Sequence, residues 1–74
     1  MRYRIFDAGR RNWLAHVVTM ATDDGAGMIV GVIWTNDPAN AMAFQGVRGA
    51  ARMIERLGGW DELCITNGRG AKVK

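Results

Sequence analysis

With 74 residues and a formal net charge of +3, the chain is long enough for one domain and no more. A chain of this size buries only about 60% of the surface its unfolded form exposes, so its core must be thin, and pairing with a second copy would help. Apolar residues make up 49% of it and three are Trp, which favours a folded globule over a disordered chain, while the longest apolar run, 28–34, is far too short to span a bilayer.

Residues 1–7 read as a strand, with Tyr3 and Ile5 on one face and Arg2 and Arg4 on the other; Phe6 breaks the alternation. A turn at 8–12 leads into a second strand over 13–21. There Leu14, His16, Val18 and Met20 alternate with Trp13, Ala15, Val17 and Thr19, and both faces are largely apolar. Residues 22–27, rich in Asp and Gly, signal a turn, and 28–35, rich in Val, Ile and Trp, form a third strand. An apolar run then stops at Thr35-Asn36-Asp37-Pro38. Asp37 suits a helix cap and Pro38 the first helical position, so a helix of about five turns is expected over 38–57. Gly58-Gly59 should stop it, 60–62 should turn the chain, and 63–66 should form a short fourth strand.

The order β-β-β-α-β predicts an α+β fold: an antiparallel sheet with one helix packed on one face, the last strand entering by a right-handed crossover. Whether that strand docks beside the first or the third is left open. A single domain is expected over 1–67, followed by a flexible basic tail over 68–74. The tail holds Arg69, Lys72 and Lys74 and accounts for the whole net charge, because residues 1–67 balance seven bases against seven acids. The topology also predicts a separation of charge, with Arg10, Arg11 and the tail at one end of the sheet and Asp23, Asp24, Asp61 and Glu62 at the other.

At about 100° per residue, Ala43, Val47, Ala50, Ala51, Ile54 and Leu57 fall on the side of the helix that should pack on the sheet, with Phe44 at its margin. Arg48, Arg52 and Arg56, spaced i, i+4, i+8, form a basic ridge in which each like-charged pair costs a few tenths of a kcal/mol. The planar fork of Arg suits a phosphate or a carboxylate-rich partner. Met42, Gly46, Gly49 and Met53 lie on a third line. An internal Gly costs roughly 1 kcal/mol relative to Ala, so two of them ask for the close approach of another backbone, and flanking methionines suit an adaptable contact surface.

Little in the chain points to chemistry. His16, the single histidine, falls mid-strand with no Ser or Cys at a spacing that makes a nucleophile pair. One Cys, one His and scattered acids give no cluster spaced to hold zinc or calcium, and Asp23-Asp24-Gly25 reads as a turn. Cys64 cannot form an internal disulfide and reads as a small buried hydrophobe, which fits a reducing cytoplasm. No signal peptide, cofactor, metal or catalytic residue is expected. Two binding readings stand instead. A protein partner would meet Arg48, Arg52, Arg56, Met42, Gly46, Gly49 and Met53, and a homodimer that buries the Met-rimmed groove in a two-fold interface is compatible with this reading. A nucleic acid would meet Arg2, Arg4, Arg10, Arg11, Arg69, Lys72 and Lys74, where cations stand beside Tyr3, Phe6 and Trp13.

Trp34-Thr35-Asn36-Asp37, then Ala43-Phe44, Ala50-Ala51 and Leu57-Gly58, resemble a pattern seen in small accessory proteins of bacterial viruses, among them some anti-CRISPR proteins. The resemblance spans about 25 residues of the junction and helix. It implies a phage-encoded, non-enzymatic inhibitor working in the cytoplasm of a bacterial host, where it would occlude a type I (Cascade) surveillance complex. It carries over no functional residue.

Overall fold

The structure is a computed structural model that describes residues 2–73. It contains the strands β1 (Arg4–Asp7), β2 (Asn12–Met20), β3 (Met28–Thr35) and β4 (Leu63–Thr66), a 3-10 turn at Pro38–Asn40, and one helix, α1 (Val47–Leu57). The expected fold class is the one observed: a four-stranded antiparallel sheet, order β3-β2-β1-β4, with α1 packed over β1 and β4 on one face. Among the described residues no helix is long and apolar enough to cross a membrane.

β4 docks beside β1, running antiparallel from Asp7↔Leu63 to Arg4↔Thr66. This makes β4 antiparallel to β3 as well, so the handedness rule for parallel crossovers does not govern the connection. It also overturns the expected charge separation. The start of β4 lies beside the β1–β2 turn, where Ala8 N–H donates to the Glu62 carbonyl at 2.9 Å. Asp61 and Glu62 therefore share an end with Arg10 and Arg11, and the basic C-terminal stretch leaves from the other end.

Asp7 closes the β1–β2 turn. Its buried carboxylate accepts the Gly9 N–H at 2.9 Å and the Arg10 N–H at 3.2 Å, and the Arg10 guanidinium stands 3.9 Å away. Arg11 completes the turn at φ 58°, a left-handed conformation unusual for a residue with a side chain.

The largest departure concerns the helix. The cap signal works locally, since the Asp37 carboxylate accepts the Ala39 N–H at 2.9 Å and Pro38 occupies the first turn. The turn nevertheless ends after Asn40, because residues 41–46 are recruited by the sheet. Met42 N–H donates to the Leu14 carbonyl at 2.8 Å, and Tyr3 and Phe44 exchange both backbone bonds at 2.7 and 2.8 Å. The linker thus bridges β1 and β2 where their own pairing, confined to Phe6↔Trp13 and Asp7↔Asn12, stops. Sheet bonding outweighs local helix propensity there. The helix restarts at Val47 behind Gly46, an extended N-cap with no side-chain bond, and ends as expected at Gly58 (φ 111°) and Gly59 (φ 66°).

Two register shifts reshape the hairpin. One falls between Leu14 and His16, the other between Val18 and Thr19. A bulge reverses the alternation of side chains, so Leu14 joins Val17 on the core face while His16, Val18 and Met20 turn outward. The core itself is small: Ile5, Leu14, Ala50, Leu63 and Ile65 are buried, ringed by half-buried residues that include Tyr3, Phe44, Met53, Ile54 and Trp60.

The basic C-terminal stretch, expected to hang free, folds back. Asn67 accepts the Arg69 and Ala71 N–H groups through its side chain, Thr66 bridges to Lys72, and Val73 N–H donates to the Ile65 carbonyl at 2.7 Å. One sheet edge is thereby covered while β3 remains open on the other.

Candidate functional site

The arginine ridge survives the shortening of the helix. Val47, Ala50, Ala51, Met53, Ile54 and Leu57 pack toward the sheet; Arg48, Arg52 and Arg56, one turn apart, are exposed on the opposite side. None is in an ion pair among the described residues, where Arg10–Asp7 is the one pair present. Helix stability does not explain them. The first turn of α1 contains no acid and includes Arg48, which the helix dipole disfavours; Arg56, in the last turn, is the one member that the dipole favours.

The methionine–glycine line does not survive. Met42 and Gly46 precede the helix, so the four positions no longer lie on one face. Met42 and Met53 are half-buried against the core. Gly46 is a cap, and Gly49 alone stays inside the helix, where an added Cβ would lie 3.9 Å from the Phe44 ring. Ala43 likewise leaves the helix and is exposed.

The residues of the nucleic-acid reading divide into two groups. Arg2 and Arg69 line one open cleft of about 510 Å³ with Asn67 and Gly68. Along β1, Arg4 and Phe6 share the face turned away from α1, and Phe6 packs against its cross-strand partner Trp13 with ring centroids 4.8 Å apart and planes tilted by 54°. Arg4 Nε and Trp13 Nε1 have no hydrogen-bond acceptor among the described residues. Lys72 pairs near the cleft through Thr66. Arg10 and Arg11 lie at the far end of the sheet, and Lys74 lies outside the described residues, as does Met1 at the start of the expected first strand. Tyr3 also leaves this group, since it packs on the core face.

A third surface was missed in the sequence. Val18, Met20, Met28 and Ile33 share the helix-free face of the β2–β3 hairpin and, with Val30 at the bulge between them, are each between 40% and 53% exposed, an apolar patch. The signal was present in the apolar character of both faces of the second strand, more than one short helix can cover. Strict period-2 counting assigned Leu14 and Val18 to the same side and so concealed it.

His16 is exposed beside Ile33 on that outer face, and no group of three or more His, Cys, Asp or Glu side chains suited to a metal occurs among the described residues. At the hairpin tip Thr22 donates its hydroxyl to Asp24, which also accepts the Ala26 N–H at 3.0 Å. These bonds, the hydroxyl first, hold the Asp24 carboxyl below its ordinary range and give it a turn-forming role. Cys64 is half-buried rather than fully buried. Burial pushes its thiol up, Asp7 adds to the effect, and Lys72 opposes it. A protonated, partly shielded thiol is a poor nucleophile at neutral pH.

No protein family matches the chain, and no curated protein or solved structure is significantly similar to it.

Proposed function

We propose that this protein acts by binding, without turnover, and that the arginine ridge of α1 docks on an acidic patch of another protein. One observation carries the reading. Three guanidinium groups stand in a row opposite the core, unpaired by any acid among the described residues, with Arg48 placed where the helix dipole opposes it. An acidic partner satisfies all three with planar, two-pronged hydrogen bonds. The concrete form of the proposal is inhibition of a type I CRISPR surveillance complex by occlusion. The resemblance that suggests it rests on positions that build the junction and helix, none of them on the ridge, so the partner's name stands on analogy.

Capture of partners from bacterial lysate, with and without nuclease, tests the reading. A stoichiometric protein partner that survives nuclease and is lost when Arg48, Arg52 and Arg56 are reversed to Glu is the expected result. Full retention by the triple variant, folded by circular dichroism, overturns the assignment. Interference assays with a type I system then decide the concrete form.

The cleft lined by Arg2 and Arg69, with Arg4 and the tilted Phe6–Trp13 pair further along β1, favours a second reading, a single-stranded nucleic-acid contact with cations on phosphate and rings on bases. Its signature is an affinity that falls steeply with salt and with removal of residues 68–74. Absence of binding to a labelled oligonucleotide at low salt removes it.

A further inference from the structure

We infer that the helix-free face of the β2–β3 hairpin is a dimer interface, and that its occupant is a second copy of this chain packed face to face about a two-fold axis near Gly31. The contact is separate from the ridge proposed above, which lies on the other side of the sheet and stays uncovered in such a dimer.

Three observations support it. The first is size. Val18, Met20, Met28, Val30 and Ile33 together leave roughly 400 Å² of apolar surface open, at the scale of a functional patch. Burying this patch on two copies, with Phe6, Trp13 and His16 at its upper end, reaches about the 1,000 Å² that marks a specific interface. A core of five buried residues has more to gain from such a cover than a large domain has.

The second is charge. Neither β2 nor β3 contains a single Asp, Glu, Lys or Arg. Two copies therefore meet across this face without like charges opposing one another. A charged partner would find nothing on these two strands to pair with. An isologous contact needs a surface that complements itself, and an uncharged apolar face does so.

The third is Gly31, in the interior of β3 and directly opposite Val18. Its φ is outside the left-handed region, and an added Cβ would meet only Val18, at 3.7 and 3.8 Å, which is ordinary contact. The register shift between Val18 and Thr19 falls beside Gly31, where the strand bulges, but no neighbour in the isolated domain crowds its open side. A strand glycine marks a bulge or the close approach of another backbone, and one on an open apolar face leaves room for both. Bare backbone at mid-patch, flanked by Val30 and Ile33, leaves a shallow seat where the second sheet comes nearest.

The test is sedimentation velocity on the purified chain at moderate salt, up to about 500 μM. The expected result is a concentration-dependent dimer. Gly31→Val and Ile33→Lys should each weaken dimerisation at least about tenfold. Both positions sit on the open face, so the far-UV circular dichroism of the monomer should be kept. Gly31→Val should leave monomer stability unchanged or raised, because a β-branched residue replaces glycine in a strand. A chain that stays monomeric throughout the range, or a dimer indifferent to both substitutions, overturns the inference. So does a dimer dissolved by Arg48→Glu instead, since that places the contact on α1. Loss of the lysate partner in the ridge variant with the dimer intact separates failure of one reading from failure of the other.

Discussion

Arg48→Glu should make the domain more stable while abolishing its proposed activity. Arg48 sits in the first turn of α1, whose N-cap, Gly46, offers no side-chain bond and which contains no acid. Replacing a cation by an anion there gains on both counts, each about 0.5 kcal/mol at low ionic strength. The repulsion between residues 48 and 52 also becomes an attraction in the favourable order, acid before base at i, i+4, for about 0.5 kcal/mol more. Solvent screening of these exposed groups reduces the total to about 1 kcal/mol. In a domain of this size that raises Tm by about 5 °C. Thermal melts followed by Trp fluorescence in low-salt buffer, repeated at about 1 M salt where exposed charges are screened, measure it. Arg56→Glu is the internal control: it removes a cation from the last turn, so its effect on Tm should have the opposite sign. A Tm for Arg48→Glu that is unchanged or lower, or equal shifts for the two variants, refutes the reasoning. Retained partner binding by the stabilised variant detaches the ridge from function.

Two further outcomes test the turn and the thiol. Asp7→Ala removes the acceptor of the Gly9 and Arg10 N–H groups and should cost about 2 kcal/mol in urea denaturation, with Asp7→Asn retaining more than half because its amide oxygen still accepts; equal losses for the two variants contradict that geometry. Cys64, held protonated by burial, binds its proton more tightly folded than unfolded, so its contribution is complete below the unfolded thiol's range and is lost as pH rises through the folded value. Stability should therefore fall as pH climbs above about 8.5, less so in Cys64→Ala, and alkylation near neutral pH should be slower than in urea-unfolded chain; equal alkylation rates contradict the shielding.

What was legible in the chain was whatever local chemistry decides. β3 and β4 begin and end where Gly-rich turns and β-branched runs place them, and α1 stops at Gly58, whose left-handed backbone suits glycine. The start of the helix was not legible, although its signals were correct. Asp37 and Pro38 cap a turn, yet one turn of helix competes poorly with three backbone bonds to Leu14 and Tyr3, partners 28 and 41 residues away. Nothing near residue 42 announces them. The same holds for the site. The arginine spacing needed only the last three turns of the helix and survived, whereas the methionine–glycine line needed the turns that the sheet took. The outer patch depended on two bulges, which strict alternation cannot foresee.

The covering of one sheet edge by the C-terminal stretch bears on how the molecule assembles in time. β2 and β3 are joined by a short turn and can pair as soon as they exist, but β1 and β4 bring Arg4 to Thr66, nearly the whole chain apart, and the final strap closes only onto a β4 already in place. Loop-closure entropy makes that late pairing the slow step. Until it is complete, the hairpin stands as a preformed half with both of its faces open. A nascent chain would therefore offer the proposed dimer face before its own core is sealed, and if that face pairs, the order of intramolecular closure and encounter with a second chain depends on the rate of synthesis and on local concentration.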